Sequence, residues 1–148
     1  MNINKLIVAG FTAIAFPTVS LSVQAVDLVT NGSFASLTNG PGQMGYNTNA
    51  TGWTTTGFNF IFASGTADTT GSPGQFGNLQ LRGPGNGSAN GLPASSPVGG
   101  NYVAADGAYQ VGAITQTING MTPGNSYTVS FYYAGAQQYS FNGPTTEQ

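Results

Sequence analysis

The sequence contains no cysteine and no histidine, and charged side chains make up only 4% of its 148 residues. Without cysteine there is no disulfide scaffold, no thiol nucleophile and no thiolate metal site. Without histidine there is no imidazole for proton transfer or zinc binding. Two cations, Lys5 and Arg82, are too few to neutralise a row of phosphates, which excludes nucleic acid and anionic lipid as natural partners. Helical periodicity is also missing after the first 25 residues. The full chain instead carries 23 glycines and 8 prolines, nearly all of them beyond that point, which break helices and populate the turns between short strands.

The N-terminus is the first positive feature. Lys5 precedes an uncharged apolar run from Leu6 to Phe16, and Val23-Gln24-Ala25 places small side chains where a signal peptidase reads them. The run is shorter than the roughly 20 residues needed to cross a bilayer, so residues 1–25 read as a cleaved export signal. The product, residues 26–148, has no membrane span and is expected to be secreted or held at the cell surface. Loss of Lys5 takes the net charge from −2 to −3. With 39% hydrophobic and 11% aromatic residues, one domain of this size has enough apolar surface to build a core.

Strand-like alternation recurs along this domain. In "GWTTTGFNFIFA", Phe58, Phe60 and Phe62 share one face, and Gly57 marks a bend between strands near 52–56 and 58–63. "NLQLR", "NYVAAD" and "GAITQTI" read as further strands, whereas "TNGPGQMGYNTNATG" reads as a loop. Residues 64–100 form a loop-rich segment. Near the C-terminus, Tyr127, Val129, Phe131 and Tyr133 alternate with Thr128, Ser130 and Tyr132, the pattern of a half-buried strand. About six strands with no helix define an all-β chain, and facing apolar rows of this kind are buried by a two-layer antiparallel β-sandwich.

The elements "LVTNGSF…GW", "GNYVAADG" and "GAITQTINGMTPGNSYTVSFYYAGAQQ" resemble a galactose-binding-like jelly roll of the carbohydrate-binding-module type. The last block is similar to exported bacterial proteins that carry a PEP-CTERM sorting tail. The resemblance implies a sandwich of about eight strands, so a chain with about six, ending on "GPTTEQ" without a sorting tail, is expected to be incomplete at its C-terminus. It also implies polysaccharide as the partner and a structural Ca²⁺ held in part by the glutamate of an Asn-Gly-Ser-Phe-Glu element. Here Ala35 stands in place of that glutamate, so the site has lost a charged ligand and no bound cofactor is expected; a structural Ca²⁺, if held, would rely on Asp27, Asp106 and backbone carbonyls.

Candidate ligand-binding residues follow from the chemistry of sugar recognition, which uses an aromatic platform with amides that fix orientation. Trp53, the single tryptophan, serves either as that platform or as core, the place such a tryptophan takes in the resembling proteins. Tyr102 and Tyr132 are alternative rings, as are Tyr109 and Tyr139, and Gln137 and Gln138 offer amides. Arg82 is either a clamp for a carboxylated sugar or a partner for Asp68 or Asp106. The acids are scattered and most simply cap turns, so the expectation is a non-catalytic module. A structural surface or matrix protein without a sugar site is the alternative.

Overall fold

The computed structural model describes residues 27–85, 92–106, 109–110 and 112–141. The expected export signal, Glu147 and the C-terminal residues 142–148 lie outside the described residues. The chain is all-β, with seven short strands and no helix among the described residues. They are β1 (Gly42–Gln43), β2 (Thr54–Thr55), β3 (Asn59–Phe62), β4 (Ser72–Gly74), β5 (Gly77–Leu79), β6 (Tyr102–Ala105) and β7 (Ile114–Thr115). Every pairing between these strands is antiparallel: β1-β3-β6 form one sheet, β2-β7 a second and β4-β5 a hairpin.

β3 is the centre of the molecule because its four residues are buried on both faces. Phe60 and Phe62 point to one side, with Ala67, Leu81, Leu92 and the half-buried Phe58, Leu79, Tyr102 and Ala104. Ile61 points to the other, with Met44, Ala50, Phe34, Leu37, Trp53, Val103 and Ile114. The register matches large side chains to small or stackable ones. Phe60 lies opposite Ala104, and Phe62 lies opposite Tyr102 with ring centroids 5.7 Å apart at 16°. Each buried Phe or Ile contributes about 1.5–3 kcal/mol of hydrophobic stabilisation.

Gly57 is where the chain changes sheet. Before it, Thr54 and Thr55 pair with Thr115 and Ile114; after it, β3 joins β1 and β6. The Thr56 N–H donates to the Ala113 carbonyl (3.3 Å) and the Phe58 N–H to the Gln110 carbonyl (3.2 Å), so the chain is tied to Gln110 and Ala113 on either side of the switch. A Cβ at Gly57 would lie 2.5 Å from the Gly112 Cα and 2.6 Å from the Gln110 carbonyl oxygen. Only glycine fits this backbone crossing. The buried Asn59 amide reinforces it by donating to the Gly112 carbonyl at 3.2 Å and to the Thr55 hydroxyl.

The Asn-Gly-Ser-Phe element forms a clasp. The Asn31 amide donates to the carbonyls of Ser36 (2.9 Å) and Thr51 (3.0 Å) and accepts from the Ser36 N–H (2.9 Å). The Trp53 indole N–H donates to the Asn31 carbonyl at 3.1 Å, and its ring lies 5.0 Å from that of Phe34. Asn31 and Phe34 hold φ of 53° and 51°, the left-handed region that Asn tolerates and Phe rarely adopts.

Three expectations change. Residues 127–133 are not a strand: Val129 is 78% exposed, Phe131, Tyr132 and Tyr133 are exposed with it, and none of residues 126–136 exchanges a backbone hydrogen bond among the described residues. Alternation specifies two faces, but a strand also needs a neighbour with a free edge, and none of the described strands lies alongside. The chain returns to the body at residues 137–139, where the Arg82 N–H donates to the Gln137 carbonyl and the Tyr139 N–H to the Gln80 carbonyl, each at 2.8 Å. Second, the loop-rich segment holds the β4-β5 hairpin, tied to the core by the buried Ser72 hydroxyl, which donates to the Ile61 carbonyl at 2.8 Å. Third, the expected loop before Trp53 contains β1 and a bridge from Leu37 to Ala50.

Candidate functional site

The sheet switch opens a cleft of about 280 Å³. Its polar lining is made of amides and hydroxyls: Gln43 from β1, Gln75 from the β4-β5 turn, Gln110, and Thr55 and Thr56 from β2 and the residue after it. Tyr46 and Phe58 supply rings. The Gln43 side-chain carbonyl accepts the Gln75 N–H at 2.9 Å, which fixes the hairpin to β1. Its NH₂ group is used by no hydrogen bond among the described residues.

An aromatic cluster flanks the cleft. Phe58, half-buried, is the hub. Phe76 lies parallel to it at 10° with centroids 6.0 Å apart, and Tyr109 meets it edge-on at 5.2 Å and 87°. Phe76 is nevertheless 77% exposed and Tyr109 63% exposed. A flat ring supported from beneath and open to solvent is the geometry of a stacking platform. The Asp106 carboxylate accepts the Tyr109 N–H at 3.0 Å, while the Asp106 N–H donates to the Phe58 carbonyl at 3.0 Å. The turn that carries Tyr109 is thereby anchored to the hub.

The residues expected from sequence are not brought together into one site. Trp53 packs on the Ile61 side of the sheet, with its N–H engaged by Asn31. Tyr102 packs on the opposite side against Phe62. Tyr132 is exposed on the segment that leaves the body, and Gln137 and Gln138 belong to the pairing with residues 80–82. Tyr139 lies beneath the Arg82 guanidinium at 5.6 Å. Of the rings named from sequence, Tyr109 reaches the cleft region. Phe76 and Tyr46 went unread because they sit among turn formers with no alternation around them.

The proposed calcium ligands are also apart in their engagements. Asp27 accepts the Val29 N–H at 3.0 Å and Asp106 the Tyr109 N–H, so each caps its own turn. The described residues hold no group of three or more metal-ligating side chains of the His, Cys, Asp or Glu type.

Tyr102 has an unusual environment. Its hydroxyl oxygen is buried without a hydrogen-bond partner, and burial, then the nearby Asp68 charge, raises its pKa above the usual value of about 10. An acid whose folded pKa is raised keeps its proton while the unfolded chain loses its own. Its contribution to stability is complete below pH ~10 and is lost as pH rises from there through the folded value. Tyr102→Phe keeps the stacked ring and removes the unpaired hydroxyl. The variant is expected to be about 1 kcal/mol more stable at pH 7, and this advantage should widen above pH 10. Urea denaturation of both proteins at pH 7 and pH 10.5 checks this.

No protein-family model, no curated protein and no solved structure matches this chain.

Proposed function

We propose that the chain is an exported, non-catalytic β-sandwich module that binds carbohydrate at the cell surface or in an extracellular matrix, and that the cleft at the sheet switch is its binding site. The export element of this reading comes from the N-terminal leader pattern in residues 1–25. The sandwich element draws on the packing of Ile61 and Val103 from the three-stranded sheet with Ile114 from the β2-β7 ladder. The observation that carries the binding site is Phe76, exposed and stacked on Phe58, a ring that itself lines the cleft together with three glutamines. Apolar sugar faces stack on such rings, and amides donate to and accept from hydroxyls.

Affinity electrophoresis against neutral polysaccharides tests this reading. Phe76→Ala removes an exposed ring and leaves the core intact, so folding should be unaffected while retardation weakens at least about fivefold, the equivalent of roughly 1 kcal/mol. Retardation unchanged by Phe76→Ala would place the sugar elsewhere.

A second reading, a structural surface or matrix protein, is favoured by the exposed, uncharged row Val129, Phe131, Tyr132 and Tyr133. An unpaired apolar segment of this kind is suited to association between copies. Under that reading, sedimentation would show concentration-dependent assembly that added sugar does not alter.

A further inference from the structure

We infer that the cleft selects neutral glycans and discriminates against carboxylated ones, an inference that rests on the carbohydrate reading above. Among the described residues the lining contains no Asp, Glu, Lys, Arg or His. Recognition of a uronate carboxylate requires a cation or a converging set of charge-assisted donors. Arg82, the single arginine, is committed elsewhere: its Nε–H donates to the Phe141 carbonyl at 3.3 Å and its guanidinium lies 5.6 Å above the Tyr139 ring.

The charge that does stand beside the platform has the wrong sign for an acidic sugar. Asp106 is joined to Phe58 through its backbone N–H and to Tyr109 through its carboxylate. A glycan stacked on Phe76 and Tyr109 would bring its substituents within a Debye length, about 10 Å at 0.1 M salt, of that carboxylate. Each uronate would meet repulsion and lose its hydration without a compensating partner. Neutral hydroxyls suffer neither penalty. They find instead the NH₂ group of Gln43 and the amides of Gln75 and Gln110, which accept and donate without regard to charge.

The test uses matched polymers in native affinity gels: hydroxyethylcellulose with carboxymethylcellulose, and galactan with polygalacturonate. The expected result is retardation by at least one neutral polymer and binding at least about fivefold weaker to its carboxylated counterpart, with the gap narrowing as salt rises. Asp106→Asn keeps an acceptor for the Tyr109 N–H and removes the charge, so the ratio of neutral to carboxylated affinity should fall severalfold. Equal or tighter binding of the carboxylated polymer overturns the selectivity and leaves the carbohydrate reading standing. Retardation by none of the four overturns both. A gap unaltered by Asp106→Asn refutes the role given to that carboxylate.

Discussion

Replacing Phe62 by alanine is expected to destabilise the protein by about 3–5 kcal/mol, the cost of emptying a fully buried aromatic site. Phe62 is 0% exposed and joins the ring of Tyr102 to the packing around Ala67, Leu81 and Leu92. Its backbone belongs to the middle strand of the β1-β3-β6 sheet, so the surrounding segments close the cavity only by shifting the β3-β6 pairing. A single domain is stable by about 5–15 kcal/mol, so the variant should be partly unfolded at room temperature or melt far below the parent. Urea titration followed by tryptophan emission reads this directly. A loss under about 1 kcal/mol would mean that β3 is not the centre of the core.

The second large effect is expected at Gly57. The atoms that a new Cβ would meet there are all backbone: the Cα and N of Gly112 and the carbonyl oxygen of Gln110. No side-chain rotation relieves such a clash, so Gly57→Ala must separate the two chain segments. The expected cost is about 2–3 kcal/mol, near the upper range for overpacking. Because Gly57, Phe58 and Gln110 also line the cleft, the same displacement should abolish polysaccharide retardation even where the variant is still folded. Gly112→Ala should behave alike, and the double variant should cost less than the two singles together, since one separation accommodates both methyl groups. Strict additivity would show that the two glycines are constrained independently.

Legibility in the sequence differs sharply between the core and the cleft. The row Phe58, Phe60 and Phe62 and the strand at Tyr102–Ala105 could be read because period-two alternation and β-branched or aromatic content are local signals. The bend at Gly57 was legible too, although alternation alone gave no sign that its two sides enter different sheets. The β4-β5 hairpin was legible only in part: "NLQLR" marked a strand that overlaps β5 at Asn78 and Leu79, whereas Ser72-Pro73-Gly74 are turn formers that pair because Ser72 is tied to β3 and Gln75 to Gln43. Residues 127–133 fail in the opposite sense. They carry a clear alternation, but periodicity says nothing about which edge a strand will find.

The cleft was almost invisible for a related reason. Its members come from separate places: Gln43 and Tyr46, Thr55 to Phe58, Gln75 and Gln110, with Phe76 and Tyr109 joined to it through the Phe58 ring. None of these pieces forms a motif, and chain order does not predict that Phe58 will bring Phe76 and Tyr109 together. Tyr109 was identifiable as a ring worth naming. The Asn-Gly-Ser-Phe and Gly-Trp elements that drew attention to the N-terminal part instead serve as a clasp, with Trp53 spent on Asn31 and Phe34.

That clasp has a practical consequence. Trp53 is the sole indole chromophore, and it is not among the residues that line the cleft, with its N–H already donated to Asn31. Intrinsic fluorescence excited at the red edge will therefore report loss of the folded state and stay silent when a sugar arrives. If the proposed sugar site is right, titrations that rely on it would miss the binding, whereas a melt monitored in the same channel would register a bound sugar as a delayed transition.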